Sequence, residues 1–172
     1  MGGEHSTRYG VVRRALERGH RVALRCAFQL LRLYWFVFRP RTHGAFVAVW
    51  ARGRLLCIRN SYRRELGLPG GRVRRGEEER EAAARELREE VGVVVDPGTL
   101  QWVGRLEFRY EYKRDRCDLF EWRLDEEPSF APDRREVIWA GFRSPDDLLG
   151  EPASPVLEAC LRRALSGARN AS

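Results

Sequence analysis

The order of apolar and polar positions predicts a long helical lead, a body of interleaved strands and helices, and a helical close. From Val11 to Phe38, the residues Leu24, Phe28, Leu31, Trp35 and Phe38 recur at steps of three and four. Arg14, Arg18, Arg21, Arg25, Gln29 and Arg32 repeat on another side with the same period, which predicts an amphipathic helix. Residues 1–10 are polar and predict a disordered start. Arg39-Pro40-Arg41 ends the helix, because proline disfavours helical backbone at the residue before it. An end near Leu33 is the alternative, with Tyr34 to Phe38 as a strand. Two strand-like runs, Ala45 to Trp50 and Arg54 to Arg59, flank an Arg52-Gly53 turn. Gly67 to Gly71, with Pro69 inside, predicts irregular backbone. Glu77 to Val91 predicts a strong helix stopped by Gly92, with Glu77, Glu78, Glu79 and Glu81 at the end where acidic groups complement the dipole. After Asp96-Pro97-Gly98 the period becomes two: a strand from Leu100 to Tyr110, a turn at Lys113 to Arg116, and a strand from Cys117 to Leu124. The acidic loop Asp125 to Arg135 precedes a short strand, Val137 to Phe142. A capped short helix from Ser144 and a last helix, Pro155 to Leu165, complete the chain. This interleaving predicts an α+β fold, a mixed sheet flanked by helices.

The 172 residues are 43% apolar and 33% charged, which suits one globular domain with a real core. The net charge of +7 suggests a polyanionic partner until it is located along the chain. Residues 1–43 hold nine Arg and two Glu, whereas residues 44–172 hold 23 basic and 23 acidic residues. The expected organisation is therefore a basic, mainly helical extension over 1–43 and a neutral domain over 44–172, with no charge reason for the domain to bind nucleic acid. A basic helix with an aromatic face suits three surroundings: its own domain or a second copy, an anionic membrane surface, or a polyanion. Cys26, Cys57, Cys117 and Cys160 lack metal-ligand spacing and predict free thiols in a reducing compartment. His5, His20 and His43 are too scattered to suggest a metal site. The start has no secretory character, and the apolar stretch Cys26 to Phe38 is too short and too interrupted to span a bilayer. A cytoplasmic protein is expected, with peripheral membrane contact through residues 11–38 and a homodimer as the alternatives for the helix.

The stretch that carries chemistry runs from Gly71 to Val93: Gly71, five residues, Glu77, seven residues, then Arg85-Glu86-Leu87-Arg88-Glu89-Glu90-Val91-Gly92-Val93. On a helix Glu86, Glu89 and Glu90 stand at i, i+3 and i+4, so three carboxylates share one face. A solvated charged helix is the plain alternative. Carboxylates gathered toward the C-terminal half, where the helix dipole disfavours them, instead require a cation. Oxygen ligands on one face suit Mg²⁺ or Mn²⁺.

The stretch resembles the Nudix box of the Nudix hydrolase superfamily at every fixed position, and Leu68-Pro69-Gly70-Gly71 resembles the approach to that box. The resemblance implies an α/β/α sandwich and a metal-dependent hydrolase. Such an enzyme cleaves the pyrophosphate linkage of a nucleoside diphosphate joined to another group: an NTP, a nucleotide sugar, ADP-ribose or a dinucleoside polyphosphate. In family terms Glu86, Glu89, Glu90 and the Gly71 carbonyl would hold Mg²⁺ or Mn²⁺, and Glu89 or Glu90 would help deprotonate water. Arg85 would orient a carboxylate, and Glu77 would be a structural or outer contact. A non-catalytic nucleotide-binding or regulatory module is the competing reading, as is a membrane-surface hydrolase of a lipid-linked diphosphate. Arg59, Arg63 and Arg64 are candidate phosphate contacts, and Glu136 a candidate base or metal ligand. Tyr110, seventeen residues past the box, is similar in placement to a tyrosine of the dinucleoside polyphosphate group. Trp50, Trp102, Trp122, Trp139, Tyr110 and Tyr112 could stack on a base or fill the core.

Overall fold

The computed structural model describes residues 3–169. Its central strand is β1 (Arg41–Ala51), whose second half is buried on both sides, as befits a strand covered by helices on each face. β1 turns at Arg52-Gly53 into β2 (Arg54–Asn60), and both turn residues have positive φ, 51° and 72°. That geometry matches the right-handed twist of a two-residue hairpin. β6 (Val137–Arg143) pairs antiparallel with β2, and β3 (Gly70–Arg72) pairs antiparallel with the start of β1. On the other side β5 (Lys113–Leu124) runs parallel to β1, and β4 (Gln101–Tyr110) pairs antiparallel with β5, giving the order β4-β5-β1-β2-β6 with β3 beside β1.

Two sequence expectations are corrected here. Lys113 to Arg116 is not a turn but the opening of β5, in register with Arg41 to His43. The turn is Glu111-Tyr112, again with two positive φ angles. The polar run can form a strand because buried Asp115 accepts hydrogen bonds from the Thr42 hydroxyl and the Lys113 ammonium. Gly70-Gly71 likewise belongs to β3, next to Ala45 and Phe46, and is not irregular.

Helix α2 (Glu79–Val91) lays Ala82, Ala83, Leu87 and Val91 on one face of the sheet, against Val47, Val49 and Leu56. Gly92, at φ 72°, ends it and donates its N–H to the Arg88 carbonyl at 3.0 Å. The helix starts two residues later than expected, since Glu77 is engaged elsewhere. A 3₁₀ turn (Pro97–Thr99) leads into β4, and α3 (Pro145–Leu148) is closed by a capping box between Ser144 and Asp147. Helix α4 (Pro155–Arg169) covers the other face with Val156, Leu157, Cys160 and Leu161, against Ala48, Leu55, Cys57 and Leu119. The result is an α/β/α sandwich of the α+β class.

Helix α1 (Gly3–Phe38) runs for 36 residues. The expected disordered start is corrected from residue 3 onward, and residues 1–2 lie outside the described residues, as do the side chains of Arg14, Arg18 and Arg21. Helix continues through Tyr34 to Phe38, so the strand alternative does not hold; the Arg39 N–H still bonds the Trp35 carbonyl at 2.8 Å. The apolar stripe turns onto the chain's own body. Trp35 is buried, the Phe28 ring lies 4.7 Å from that of Tyr62, and Arg25 Nε donates to the Ser61 carbonyl at 2.9 Å. Phe38 departs from the stripe and faces outward. No helix among the described residues is long and apolar enough to cross a membrane.

Candidate active site

The Gly71–Val93 stretch brings its carboxylates to the floor of a cleft of about 810 Å³, with α1 as the opposite wall. Glu86, Glu89, Glu90, Gly70 and Gly71 all line it. Glu90 is 6% exposed and accepts the Gly70 N–H at 2.9 Å. Burial holds its carboxyl well above the usual carboxylate range, and the charges of Glu86, Glu136 and Asp133 add to this against the pull of that N–H. Burial also raises the Glu86 carboxyl, helped by Glu89 and Glu136 and opposed by Arg85. A Cβ on Gly71 would lie 2.6 Å from the Glu86 carboxyl carbon, so this position must be glycine for the Glu86 carboxylate to sit where it does.

Arg85 gathers the cluster. Its Nε and Nη2 donate to the two Glu77 oxygens at 2.7 and 3.0 Å, its Nη1 to Glu86 at 2.6 Å and Glu89 at 3.2 Å, and Nη2 also to the Arg72 carbonyl at 3.1 Å. The bidentate bond from Arg85 lowers the Glu77 carboxyl from its ordinary 4.5 to about 2. Glu77 therefore ties the loop before α2 to the middle of that helix, while Arg85 steadies two carboxylates that face the cleft.

Glu136 reaches the same cleft, although it lies outside the box. The loop before β6 hangs on the end of α2 through Ala131 N–H to the Val91 carbonyl and Asp133 N–H to the Glu90 carbonyl. The Asp133 carboxylate in turn accepts the N–H groups of Arg135, Glu136 and Val137, and the Tyr62 hydroxyl donates to Glu136. Sequence reading left Asp133 and Tyr62 unremarked, since neither lies in a motif.

The other candidates divide. Tyr110 lines the cleft, with its hydroxyl donating to Glu65 and accepting from Arg63. Arg63 also lines it but is committed to Glu65, Tyr110 and Glu111, so it braces the wall. Arg59 leans toward Glu151 at 3.8 Å and Arg64 is exposed; neither lines the cleft. Trp50 is core, Trp122 and Trp139 pack against it, and Trp102 binds Asp118, so these four tryptophans supply no stacking face in the cleft. Its aromatic wall is Phe28, Trp35, Phe46, Tyr62, Phe108 and Tyr110. The signal for two of them was the stripe on α1, whose target the sequence does not name. Arg72 on β3 also lines the cleft, exposed and with no carboxylate partner among the described residues.

Glu86, Glu89 and Glu90 bring to the cleft the hard oxygen donors that a dication takes, with Arg85 bonded to Glu86 and Glu89. Among the described residues, the one group of three such side chains whose ligand atoms all lie within 4.8 Å of one another is His43, Glu79 and Asp118. Arg105 and Arg116 already occupy its surroundings, Arg105 bonding Asp118 at 3.1 Å and Arg116 standing 3.7 Å from Glu79. His43, scattered in sequence, is thus a member of an ion network beside β1.

A family model described as the NUDIX domain matches residues 39–164. No curated protein matches the chain significantly. Among solved structures, the MutT NUDIX hydrolase of Burkholderia pseudomallei is similar at a TM-score of 0.64 and 20% identity, over 71% of this chain and 96% of that one. An Ap4A hydrolase of C. elegans, solved as a binary complex, gives 0.62 and 17% over 75% and 98%. The NUDIX domain of Shewanella oneidensis NrtR, complexed with ADP ribose, gives 0.65 and 14% over 76% and 90%. At these identities the likeness is one of fold, and the family match begins just after α1. With the domain matched over most of the chain and the box complete from Gly71 to Val93, the chain belongs to the Nudix family.

Proposed function

We propose that the protein hydrolyses the pyrophosphate linkage of a nucleoside diphosphate derivative with Mg²⁺ or Mn²⁺ bound at Glu86, Glu89, Glu90 and the Gly71 backbone. The observation that carries this reading is the buried Glu90 carboxylate, fixed by the Gly70 N–H and set beside Glu86 and Glu136 in one cleft. When bound, the metal supplies charge neutralisation for phosphate oxygens and a lowered pKa for the attacking water. The chain supplies the rest. Arg85 and Glu77 hold the carboxylates in place, and Arg72, with no carboxylate partner among the described residues, offers its guanidinium to a phosphate oxygen. Phe28, Trp35 and Phe108 provide an apolar wall for the base or the group beyond the diphosphate. Water oxygen attacks one phosphorus, Glu89 or Glu90 takes its proton, and the bridging P–O bond breaks with the electron pair leaving on the second phosphate.

The test is turnover of a panel of NTPs, nucleotide sugars, ADP-ribose and dinucleoside polyphosphates with Mg²⁺ or Mn²⁺. One class should be cleaved, and Glu89→Gln or Glu90→Gln should lower kcat about 100-fold or more. Arg72→Ala should raise KM with a smaller effect on kcat. No turnover of any member, or undiminished turnover in both glutamine variants, refutes the reading. Nucleotide binding without turnover would identify a binding module.

A further inference from the structure

We propose that the corner formed by the last turns of α1 and the β4–β5 hairpin is a docking surface for an anionic lipid bilayer. Arg41, Arg114 and Arg109 stand in lateral register across β1, β5 and β4, each directly opposite the next. All three are exposed, and like charges placed opposite one another on a sheet destabilise it. With Arg39, Lys113 and Tyr112 they line a recess of about 390 Å³. Lys113 is satisfied by Asp115. Arg39, Arg41, Arg109 and Arg114 have no carboxylate partner among the described residues. What sets this recess apart is that four guanidiniums without a carboxylate partner among the described residues gather in one place, a cationic surface that suits an anion.

An apolar surface continues directly from that recess. The Phe36 ring meets Tyr112 edge-on at 5.1 Å, and Tyr34 packs on Phe38 at 4.7 Å. Phe36, Val37 and Phe38 are 53%, 62% and 66% exposed, and Leu30, Leu33 and Tyr34 are exposed beside them. Only Trp35 in these turns is buried, so the end of the helix presents aromatic and aliphatic side chains to solvent on several sides.

Of the occupants that would cover such a surface, a second copy related by a two-fold axis would bring the same arginine row against itself. A nucleic acid would accept the arginines and leave the apolar side chains in water. An anionic bilayer accepts both, with aromatic and aliphatic groups entering the headgroup boundary and guanidiniums meeting lipid phosphates. The surface lies outside the catalytic cleft and does not depend on which substrate that cleft takes.

Full-length protein is sedimented with vesicles of phosphatidylcholine mixed with phosphatidylglycerol, and with pure phosphatidylcholine vesicles. It should bind the anionic vesicles at low salt, bind the neutral ones far less, and release as salt rises. Arg41→Ala, Arg109→Ala and Arg114→Ala should each weaken partitioning roughly fivefold. Phe36→Ser with Val37→Ser should weaken it again, while turnover of a soluble nucleotide stays unchanged and shows that the variants fold. Absence of binding to anionic vesicles at low salt overturns the proposal, as does equal binding by all variants. Sedimentation velocity supplies a second refutation: a dimer that Phe36→Ser dissociates, without any vesicle binding, assigns the surface to a second copy. Binding of a DNA duplex with no vesicle binding assigns it to nucleic acid.

Discussion

Glu86 and Glu89 on α2 and Glu77 in the loop before it all reach one guanidinium, that of Arg85, whereas Arg41, Arg109 and Arg114 line up across three strands with no carboxylate partner among the described residues. Both regions concentrate like charge. The acidic one is compensated from within and mostly buried, so its geometry is fixed before any ligand arrives. The basic one is left open at the surface, and among the described residues no carboxylate pairs with it. Internal compensation organises a site for small ions and substrates, and its absence marks a surface for a partner.

Breaking the compensation should give the largest effect. Arg85→Met leaves the Glu77 carboxylate without its bidentate partner in a mostly buried position, and loss of one member of such a pair costs about 3 kcal/mol. Urea unfolding should show that loss, and Arg85→Lys should recover only part of it, since an ammonium cannot span both Glu77 oxygens. A variant as stable as the wild type would mean that Arg85 does not organise the cluster.

Gly71→Ala tests the same region by space rather than charge. The added methyl carbon would fall 2.6 Å from the Glu86 carboxyl carbon, so Glu86 must move. Because the clash is with the far end of a flexible side chain, the cost should be well below that of overpacking a core, under about 1 kcal/mol. If Glu86 is a metal ligand, the Mg²⁺-dependent rise in Tm should also shrink, with affinity falling roughly 10- to 100-fold. An unchanged Mg²⁺ response in a destabilised variant would separate Glu86 from the metal.

These two regions were unequally legible in the sequence. The box fixes residue types at fixed spacing on one helix, so Glu86, Glu89, Glu90 and Arg85 could be placed on a common face without knowing the fold. The arginine row could not. Arg41, Arg109 and Arg114 are neighbours only through strand register, and Lys113 to Arg116 looked like a turn because the partners that satisfy Asp115 come from β1 and from its own strand. The periodicity of α1 announced a buried face, and its neighbour, the cleft wall, depends on tertiary packing that amphipathicity alone does not specify. The tryptophans misled for the complementary reason: strand aromatics serve the core unless an edge or a cleft exposes them.

Glu77→Gln gives a smaller effect than Arg85→Met, with a distinctive pH dependence. The folded-state pKa of Glu77, about 2, lies below its ordinary 4.5 because Arg85 favours the ionised form. Its stabilisation is therefore fully present above about 4.5 and is lost as pH falls toward 2. At neutral pH the variant should be less stable by about 1.5 kcal/mol, a value typical of hydrogen bonds to charged groups. The gap between wild type and variant should close across that acidic window, and a constant gap would show that the carboxylate's charge is not what Arg85 recognises.

The smallest expected change has the opposite sign. Arg114 faces Arg41 on one side and Arg109 on the other, so Arg114→Thr relieves two like-charge contacts and places a β-branched residue in a strand. Each contact of this type is worth about 0.2–1 kcal/mol, so the variant should be more stable than the wild type by roughly 0.5–1 kcal/mol at low ionic strength. The gain should fade as salt screens the exposed row, whereas the loss in Arg85→Met should persist, because its partners are mostly buried. If Arg114→Thr instead destabilises the protein at low salt, the row has an internal stabilising partner. The electrostatic half of the docking surface would then have no basis.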